Sequence, residues 1–143
     1  MIANQIMTLL NRRIEKDTRR EVYIPTIING VSIVSSMAFG GTSDRSDNDS
    51  YTIRIPIAAE FQYGREYIDV DDYHQLSDKE CMKYWTLQKG AYIIPGALEL
   101  DTPVDGEAIS KLKRSGKTIT ITSFRDNTFR GSYYLKHWRV GGA

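Results

Sequence analysis

Hydrophobic and polar residues alternate along two segments of this chain, and alternation of this kind predicts β-strands. In residues 51–57 the apolar side chains fall on every second position, with Thr52, Arg54 and Pro56 between them. Residues 117–122 alternate in the same way. Such a strand buries one face and exposes the other. Because Pro56 has no amide hydrogen to donate, the first strand should end there or lie at a sheet edge.

Turn-forming residues mark further candidate strands in the first half of the chain. Residues 21–25 have a strand pattern that ends in proline, and the Asn-Gly pair at positions 29–30 predicts a tight turn before a strand over residues 31–36. At the N-terminus, residues 2–10 carry apolar side chains at helical spacing, and a first strand through residues 7–10 is the alternative.

Residues 85–96 have the pattern of a strand, a tight turn, a second strand and a stop. Trp85 opens the first strand, Gly90 lies in the turn, and a Pro-Gly pair ends the second strand. Nothing in this segment supplies a reactive group, so we interpret it as a hairpin of the core. A last strand is predicted over residues 136–140, followed by a frayed end at residues 141–143.

Short helices and long loops complete the predicted architecture. Residues 77–80 have the spacing of a capping box and predict one helical turn. Residues 105–113 are predicted to form a helix, because they carry an apolar stripe and have basic residues near the C-terminal end. The long loops are residues 39–50 and 125–134. The expected fold is mainly β: one domain over residues 1–143, a small antiparallel β-barrel or sandwich with one or two short helices and long loops.

Charge is distributed unevenly along a chain whose formal net charge is only +1. Residues 111–143 hold eight Lys and Arg residues against one acidic residue, whereas the rest of the chain holds eleven against seventeen. This distribution predicts a molecule with one basic face. Three interpretations stay open: a solvated surface, contact with nucleic acid, and stacking of oppositely charged faces in a homo-oligomer.

Residues able to do chemistry are few, and they are not arranged as a site. Cys81 is the one cysteine, so no intramolecular disulfide forms and a buried thiol is expected. His74 lies in an acidic segment, but nothing in the sequence supplies three or four metal ligands of fixed geometry. No nucleophile with its base and no phosphate-binding glycine motif can be identified. The sequence therefore predicts a protein that is not an enzyme, with no metal and no cofactor.

Neither a signal peptide nor a membrane span is expected. Residues 1–10 have no basic region before their apolar part, and no apolar run approaches the length that crosses a bilayer. Both observations indicate an intracellular site of synthesis.

Four groups of residues, in order along the chain, carry a resemblance to a known family. They are Asn11-Arg-Arg-Ile with Val22-Tyr-Ile-Pro-Thr, Tyr51-Thr-Ile-Arg-Ile-Pro, Trp85-Thr-Leu-Gln-Lys-Gly-Ala-Tyr-Ile-Ile-Pro-Gly, and His137-Trp-Arg-Val-Gly. Together they resemble small neck proteins of tailed bacteriophages, of the head-closure (connector or stopper) type. The third group is similar to the family form Trp-Thr-Leu, two residues, Gly-Asp-x-Ile-Val, x, Gly. It departs from that form at Ala91, where the family has an acidic residue, and at Pro95, which precedes the glycine.

The resemblance implies a small β-barrel with long loops that is not an enzyme and needs no cofactor. Such proteins assemble as a homo-oligomeric ring between the portal–adaptor complex and the tail. The ring retains packaged double-stranded DNA, which passes through it without sequence readout, and it gives the tail a docking surface. The protein is then expected in the neck of the virion, after synthesis in the host cytoplasm, with no membrane partner.

The two long loops are expected to contact neighbouring subunits, the adaptor and the tail. Long loops in a compact domain are usually functional. The candidate interface residues in these loops are Phe39, Arg45, Asp47, Arg125, Phe129, Arg130 and Tyr133.

Two other functions remain as alternatives. One is a tail-terminator or tail-completion protein, which also forms a ring. The other is a monomeric barrel that binds single-stranded nucleic acid, because residues 124–134 mix aromatic and basic side chains, and rings beside cations are typical of single-strand binding.

Overall fold

Six antiparallel strands close into a barrel in the computed structural model, which describes residues 3–36, 50–100, 104–116, 118–129 and 131–143. The elements of this part of the chain are, in order, β1 (Gln5–Ile14), β2 (Glu21–Ser36), β3 (Ser50–Pro56), β4 (Glu60–Phe61), β5 (Glu66–Tyr67), α1 (Val70–Gln75), β6 (Tyr84–Trp85), β7 (Tyr92–Pro95), α2 (Gly106–Arg114), β8 (Ile119–Asn127) and β9 (His137–Gly142). The barrel order is β1-β7-β8-β9-β3-β2, and β2 returns to β1. The mainly-β prediction is therefore confirmed, as a barrel rather than a sandwich.

The first two strands form one long hairpin, so the strand alternative for the N-terminus is correct. Two predictions within β2 are wrong, because the strand runs through both Pro25 and Gly30. Pro25 pairs with Leu10 of β1 on one side, and none of the described strands pairs with β2 at that point on the other. A proline is tolerated at such an open edge.

Gly30 is a bulge in β2 and not the corner of a turn. Gln5 lies opposite Val31 and Ile6 lies opposite Asn29, so Gly30 is the extra residue. Its φ of +94° is a conformation that glycine adopts without strain. The Asn-Gly pair thus provides a positive φ at the bulge, as it would have done in a tight turn.

The predicted hairpin over residues 85–96 does not form. β6 pairs in parallel with β5, whereas β7 lies in the barrel between β1 and β8. The side chain of Asn11 explains the difference, because its amide nitrogen donates to the Thr86 carbonyl at 2.6 Å and its oxygen accepts from the Thr86 amide at 3.2 Å. The backbone groups of Thr86 that a hairpin could have used are therefore already paired.

The predicted frayed end is also wrong, because Gly141 and Gly142 belong to β9. The Ala143 amide and carbonyl both pair with Thr120, at 3.0 and 2.9 Å. A Cβ atom added to Gly142 would lie 2.5 Å from a methyl group of Ile119 and 3.0 Å from the Thr120 carbonyl. Only glycine fits where β8 and β9 approach this closely.

The barrel interior is built around the two tryptophans. The Trp85 and Trp138 rings meet edge to face at 4.9 Å, and the rings of Phe61 and Tyr67 each lie 5.0 Å from that of Trp85. Trp85 is completely buried. Aromatic pairs in this geometry stabilise a core beyond the area that they bury.

A second, smaller core lies on the outer side of β1, β2 and β7, beneath α2. Its buried residues are Leu10, Tyr23, Tyr92, Ile94, Val104 and Ile109. The helix prediction is confirmed: Asp105 caps α2 by accepting from the Ala108 amide at 2.9 Å. The capping residue Ser77 likewise accepts from the Glu80 amide, at 3.1 Å, before a 3₁₀ turn over Glu80–Lys83.

The structure describes the two long loops predicted from the sequence to different extents. Residues 39–49 of the first loop lie outside the described residues, and its last residue, Ser50, begins β3. In the second, β8 continues to Asn127, so Arg125 lies in a strand and not in a loop. The connection from β8 to β9 contains a 3₁₀ turn over Tyr133–Leu135. No helix of the described chain has the length and apolar character needed to cross a membrane.

Candidate anion-binding face

Three arginines lie side by side across neighbouring strands of the barrel. Arg139 of β9 is directly opposite Arg54 of β3 on one side and Arg125 of β8 on the other. We refer to these three residues as the arginine row. Directly opposite residues have Cβ atoms about 5 Å apart on the same face of a sheet, so the three side chains leave the barrel together.

The arginine row points away from the core. The residues that flank Arg54 and Arg139 in sequence are buried in the barrel interior: Ile53, Ile55, Trp138 and Val140. Because successive side chains of a strand point to opposite faces, the arginines between them face outward. Arg125 and Arg139 are exposed, and Arg54 is half-buried.

A bulge in β8 brings Arg125 into the row. Ile121 lies opposite Gly142 and Ser123 lies opposite Gly141, so Thr122 is the extra residue. Without the bulge, positions 123 and 125 would follow the buried Ile121 into the barrel. The inserted residue reverses the alternation, as bulges do when they redirect a side chain, and Arg125 faces outward.

The rows of residues on either side of the arginines contain no acidic residue. Thr52, Gly141 and Ser123 form one neighbouring row, and Pro56, His137 and Asn127 form the other. Among the described side chains, no carboxylate occupies an outward position on β3, β9 or β8. We call this surface of three strands the basic face.

No ion pair between described residues engages the arginine row. Like charges directly opposite one another destabilise a sheet. The arginine row therefore makes the fold less stable than it would be with an acidic or neutral residue at any of the three positions. An anion bound across the row would relieve this repulsion. The arrangement is therefore suited to a ligand that carries several negative charges.

The structure describes only part of the interface that the sequence predicted. Phe39, Arg45, Asp47 and Arg130 lie outside the described residues. Phe129 and Tyr133 lie in the connection that follows β8, with 82% and 57% of their surface exposed. Arg125 belongs to the basic face, whereas Arg54 and Arg139 were not predicted as functional residues.

Two other arginines serve a structural role and contrast with the row. Arg65 is 3% exposed and donates to the Met82 and Pro25 carbonyls, at 2.9 and 2.7 Å, and to the Thr26 hydroxyl at 2.6 Å. These bonds join β2 to the segment that follows β5. Burial lowers the pKa of Arg65, but the carbonyl oxygens around it satisfy its donors.

Arg13 joins the end of the β1–β2 hairpin to the segment after α1. Its guanidinium donates to the carbonyls of Tyr73 and Leu76 at 3.4 and 2.9 Å, and it forms an ion pair of 3.0 Å with Asp78. Asp78 also accepts from the backbone amides of Lys16 and Asp17. The hairpin is thus bound to this segment through one charged pair and several backbone groups.

These bonds predict a specific acid sensitivity. The Lys16 amide, followed by the Asp17 amide and Arg13, holds the pKa of Asp78 below its usual value, although burial acts in the opposite direction. Because the folded pKa is the lower one, Asp78 stabilises the fold fully above about pH 4, and this contribution is lost as the pH falls further.

Asp78→Asn should therefore lose less stability than the wild type between pH 5 and pH 3, in urea denaturation followed by tryptophan fluorescence. Asp72→Asn, an exposed change on α1, is the control and should keep the wild-type dependence. Parallel curves for Asp78→Asn and the wild type would contradict the assignment.

The remaining residues considered for chemistry show no reactive arrangement within the described chain. Cys81 is buried as predicted, and burial raises the pKa of its thiol. His74 lies on α1, where burial lowers its pKa. No group of three or more potential metal ligands comes together among the residues that the structure describes.

Comparison with known protein families finds a match over nearly the whole chain. A family model described as "Family of unknown function (DUF6751)" matches residues 2–143. No curated protein and no solved structure matches the chain. The family description assigns no activity.

Proposed function

We propose that this chain, which belongs to the DUF6751 family, is a structural protein of the head–tail connector of a tailed bacteriophage. In this proposal, copies of the chain form a ring that closes the DNA-filled head and docks the tail. The protein acts through its surfaces and loops, without catalysis and without a cofactor. It is made in the host cytoplasm and stays in the neck of the virion.

The observation that carries the proposal is that the residue groups with the phage-neck resemblance meet in one structural unit. Asn11 of the first group binds both backbone groups of Thr86 in the third. The Trp85 ring of the third group packs on Trp138 of the fourth. The second group forms β3, which pairs along its length with β9. The four groups that carry the resemblance therefore all belong to one barrel core.

The barrel suits such a role because closure leaves only a short open edge among the described strands, at the N-terminal part of β2. Edges attract unwanted pairing with other chains, and closure restricts contacts to loops and outer faces. In the proposed ring, residues 39–50 and the connection after β8 contact neighbouring subunits, the adaptor and the tail. The chain's separate acidic and basic parts then provide complementary charge between copies.

Interruption of the coding sequence in a phage or prophage genome that carries it tests this proposal. We expect induced cells to contain separate tails and heads that have lost DNA, by electron microscopy. Supply of the intact chain from a plasmid should restore complete particles. Normal infectious particles without the chain would contradict the proposal.

The location of the chain in the particles separates the connector role from its nearest alternative. Heads and tails from a lysate can be separated and each fraction analysed by mass spectrometry. The connector role predicts that the chain remains with heads. Recovery with isolated tails only would indicate a tail-terminator or tail-completion protein instead.

A further inference from the structure

We propose that the arginine row binds the phosphate backbone of double-stranded DNA without reading its sequence. The choice of DNA as the ligand rests on the proposed function, which places packaged DNA beside the protein. The site itself rests on the geometry of the basic face. Nothing in the family description or in the resemblance assigns a DNA contact to these residues.

The spacing of the row matches a polymeric anion better than a single one. Neighbouring strands lie about 4.8 Å apart, so three strands present guanidinium groups over a width of about 10 Å. Duplex DNA carries one negative charge for about every 1.7 Å of its axis. Several phosphates therefore lie within reach of Arg54, Arg125 and Arg139 together. Each planar guanidinium offers a fork of donors that fits two phosphate oxygens.

The neutral residues around the row favour phosphate over an acidic protein surface. Thr52, Ser123 and Asn127 supply hydrogen-bond donors of the types that contact the sugar–phosphate backbone. Protein interfaces instead depend on aromatic or apolar anchors near their centre. Among the described positions of β3, β9 and β8 that alternate outward, Pro56 is the one apolar side chain. Phe124 alternates to the opposite face, although 36% of its surface is exposed.

The same face favours a duplex over a single strand. Single strands are held by aromatic rings that stack on successive bases. The exposed rings of Phe129 and Tyr133 belong to the connection that follows β8, and Phe124 alternates to the face opposite Arg125, so none of these rings occupies a position within the arginine row. Backbone contact with no stacking is typical of binding that ignores sequence.

The test compares two variants that lose the same charge. One is Arg54→Gln/Arg125→Gln/Arg139→Gln. The control is Lys79→Gln/Lys111→Gln/Arg114→Gln, which neutralises three exposed cations, one immediately before the 3₁₀ turn and two on α2. Binding of two labelled 30-base-pair duplexes of unrelated sequence is followed by fluorescence anisotropy from about 50 to 200 mM salt.

We expect the wild type and the control to bind both duplexes alike. The arginine variant should bind at least about tenfold more weakly at the lowest salt. Its slope of log affinity against log salt should be shallower by about 2.7, since each lost phosphate contact removes about 0.9.

Circular dichroism should show both variants folded, and thermal melting should show the arginine variant no less stable than the wild type, because like charges are removed. If the triple variant does not fold, Arg125→Gln alone should still weaken binding and make the slope shallower by about 0.9.

Four results would overturn the inference. The first is no salt-dependent duplex binding by the wild type, and the second is an equal loss of duplex affinity in the two triple variants. The third is tighter binding of a single strand than of the duplex, with that binding abolished by Phe129→Ala. The fourth is competition by polyglutamate that is as effective as competition by DNA. The last two would indicate a single-strand site and a site for an acidic protein, respectively. The assay uses purified protein, so the inference can fail while the role in the particle stands.

Discussion

Trp85→Ala is expected to lower the free energy of unfolding by about 3–5 kcal/mol, the range for removal of a buried aromatic side chain. Trp85 is completely buried, and its ring contacts those of Phe61, Tyr67 and Trp138. Alanine would leave a cavity with rings on several sides, and strands that are closed around it cannot collapse to fill it. Urea denaturation should show the loss, with a melting temperature lower by roughly 10 °C.

Phe129→Ala is the matched control, because it also removes an aromatic ring but from a side chain that is 82% exposed. It should change stability by no more than about 0.5 kcal/mol. Equal effects of the two changes would mean that Trp85 does not lie at the centre of the core.

Arg13→Ala should be the second large loss, about 3 kcal/mol. The change removes three hydrogen bonds, those to the Tyr73 and Leu76 carbonyls and to Asp78, although the Tyr73 carbonyl still accepts from the Leu76 amide. Loss of one partner of a buried ion pair costs about 3–5 kcal/mol. The lower end applies here because Asp78 keeps 25% of its side-chain surface exposed and retains two backbone donors. Denaturation in urea at pH 7 measures the effect.

Arg12→Ala provides the control on the same strand. It removes the same charge from an exposed side chain one position earlier and should cost no more than about 0.5 kcal/mol. The double variant Arg13→Ala/Asp78→Ala should lose less than the sum of the two single losses, since the pair interacts directly. Strict additivity would argue against the ion pair.

Local pattern predicted the strands of this barrel but not their partners. The alternation in residues 51–57 places Arg54 on a polar face, and the prediction of a strand over residues 136–140 accounts for Arg139. Their adjacency requires β3 to pair with β9, more than eighty positions later. Strand periodicity carries no information on such a pairing, so the arginine row could not be predicted as a site.

Single residues overrode several predictions, each for a local physical reason. Gly30 satisfies a positive φ within a strand, and Pro25 occupies an open edge, so neither breaks β2. Asn11 takes both backbone groups of Thr86 with its side chain and prevents a hairpin. Thr122 reverses the alternation of β8 and turns Arg125 outward. In each case the local sequence allowed two conformations, and a tertiary contact or a bulge determined which of them formed.

The position of β9 in the barrel has a consequence for biosynthesis. This strand lies between β3 and β8, and Ala143 completes its ladder with Thr120. A nascent chain that lacks residues 137–142 therefore has two unpaired edges and an open core. Closure must wait until this segment emerges from the ribosome, and pairing over so large a sequence separation is slow. The partly made barrel is the state in which we expect aggregation or chaperone capture to compete with folding.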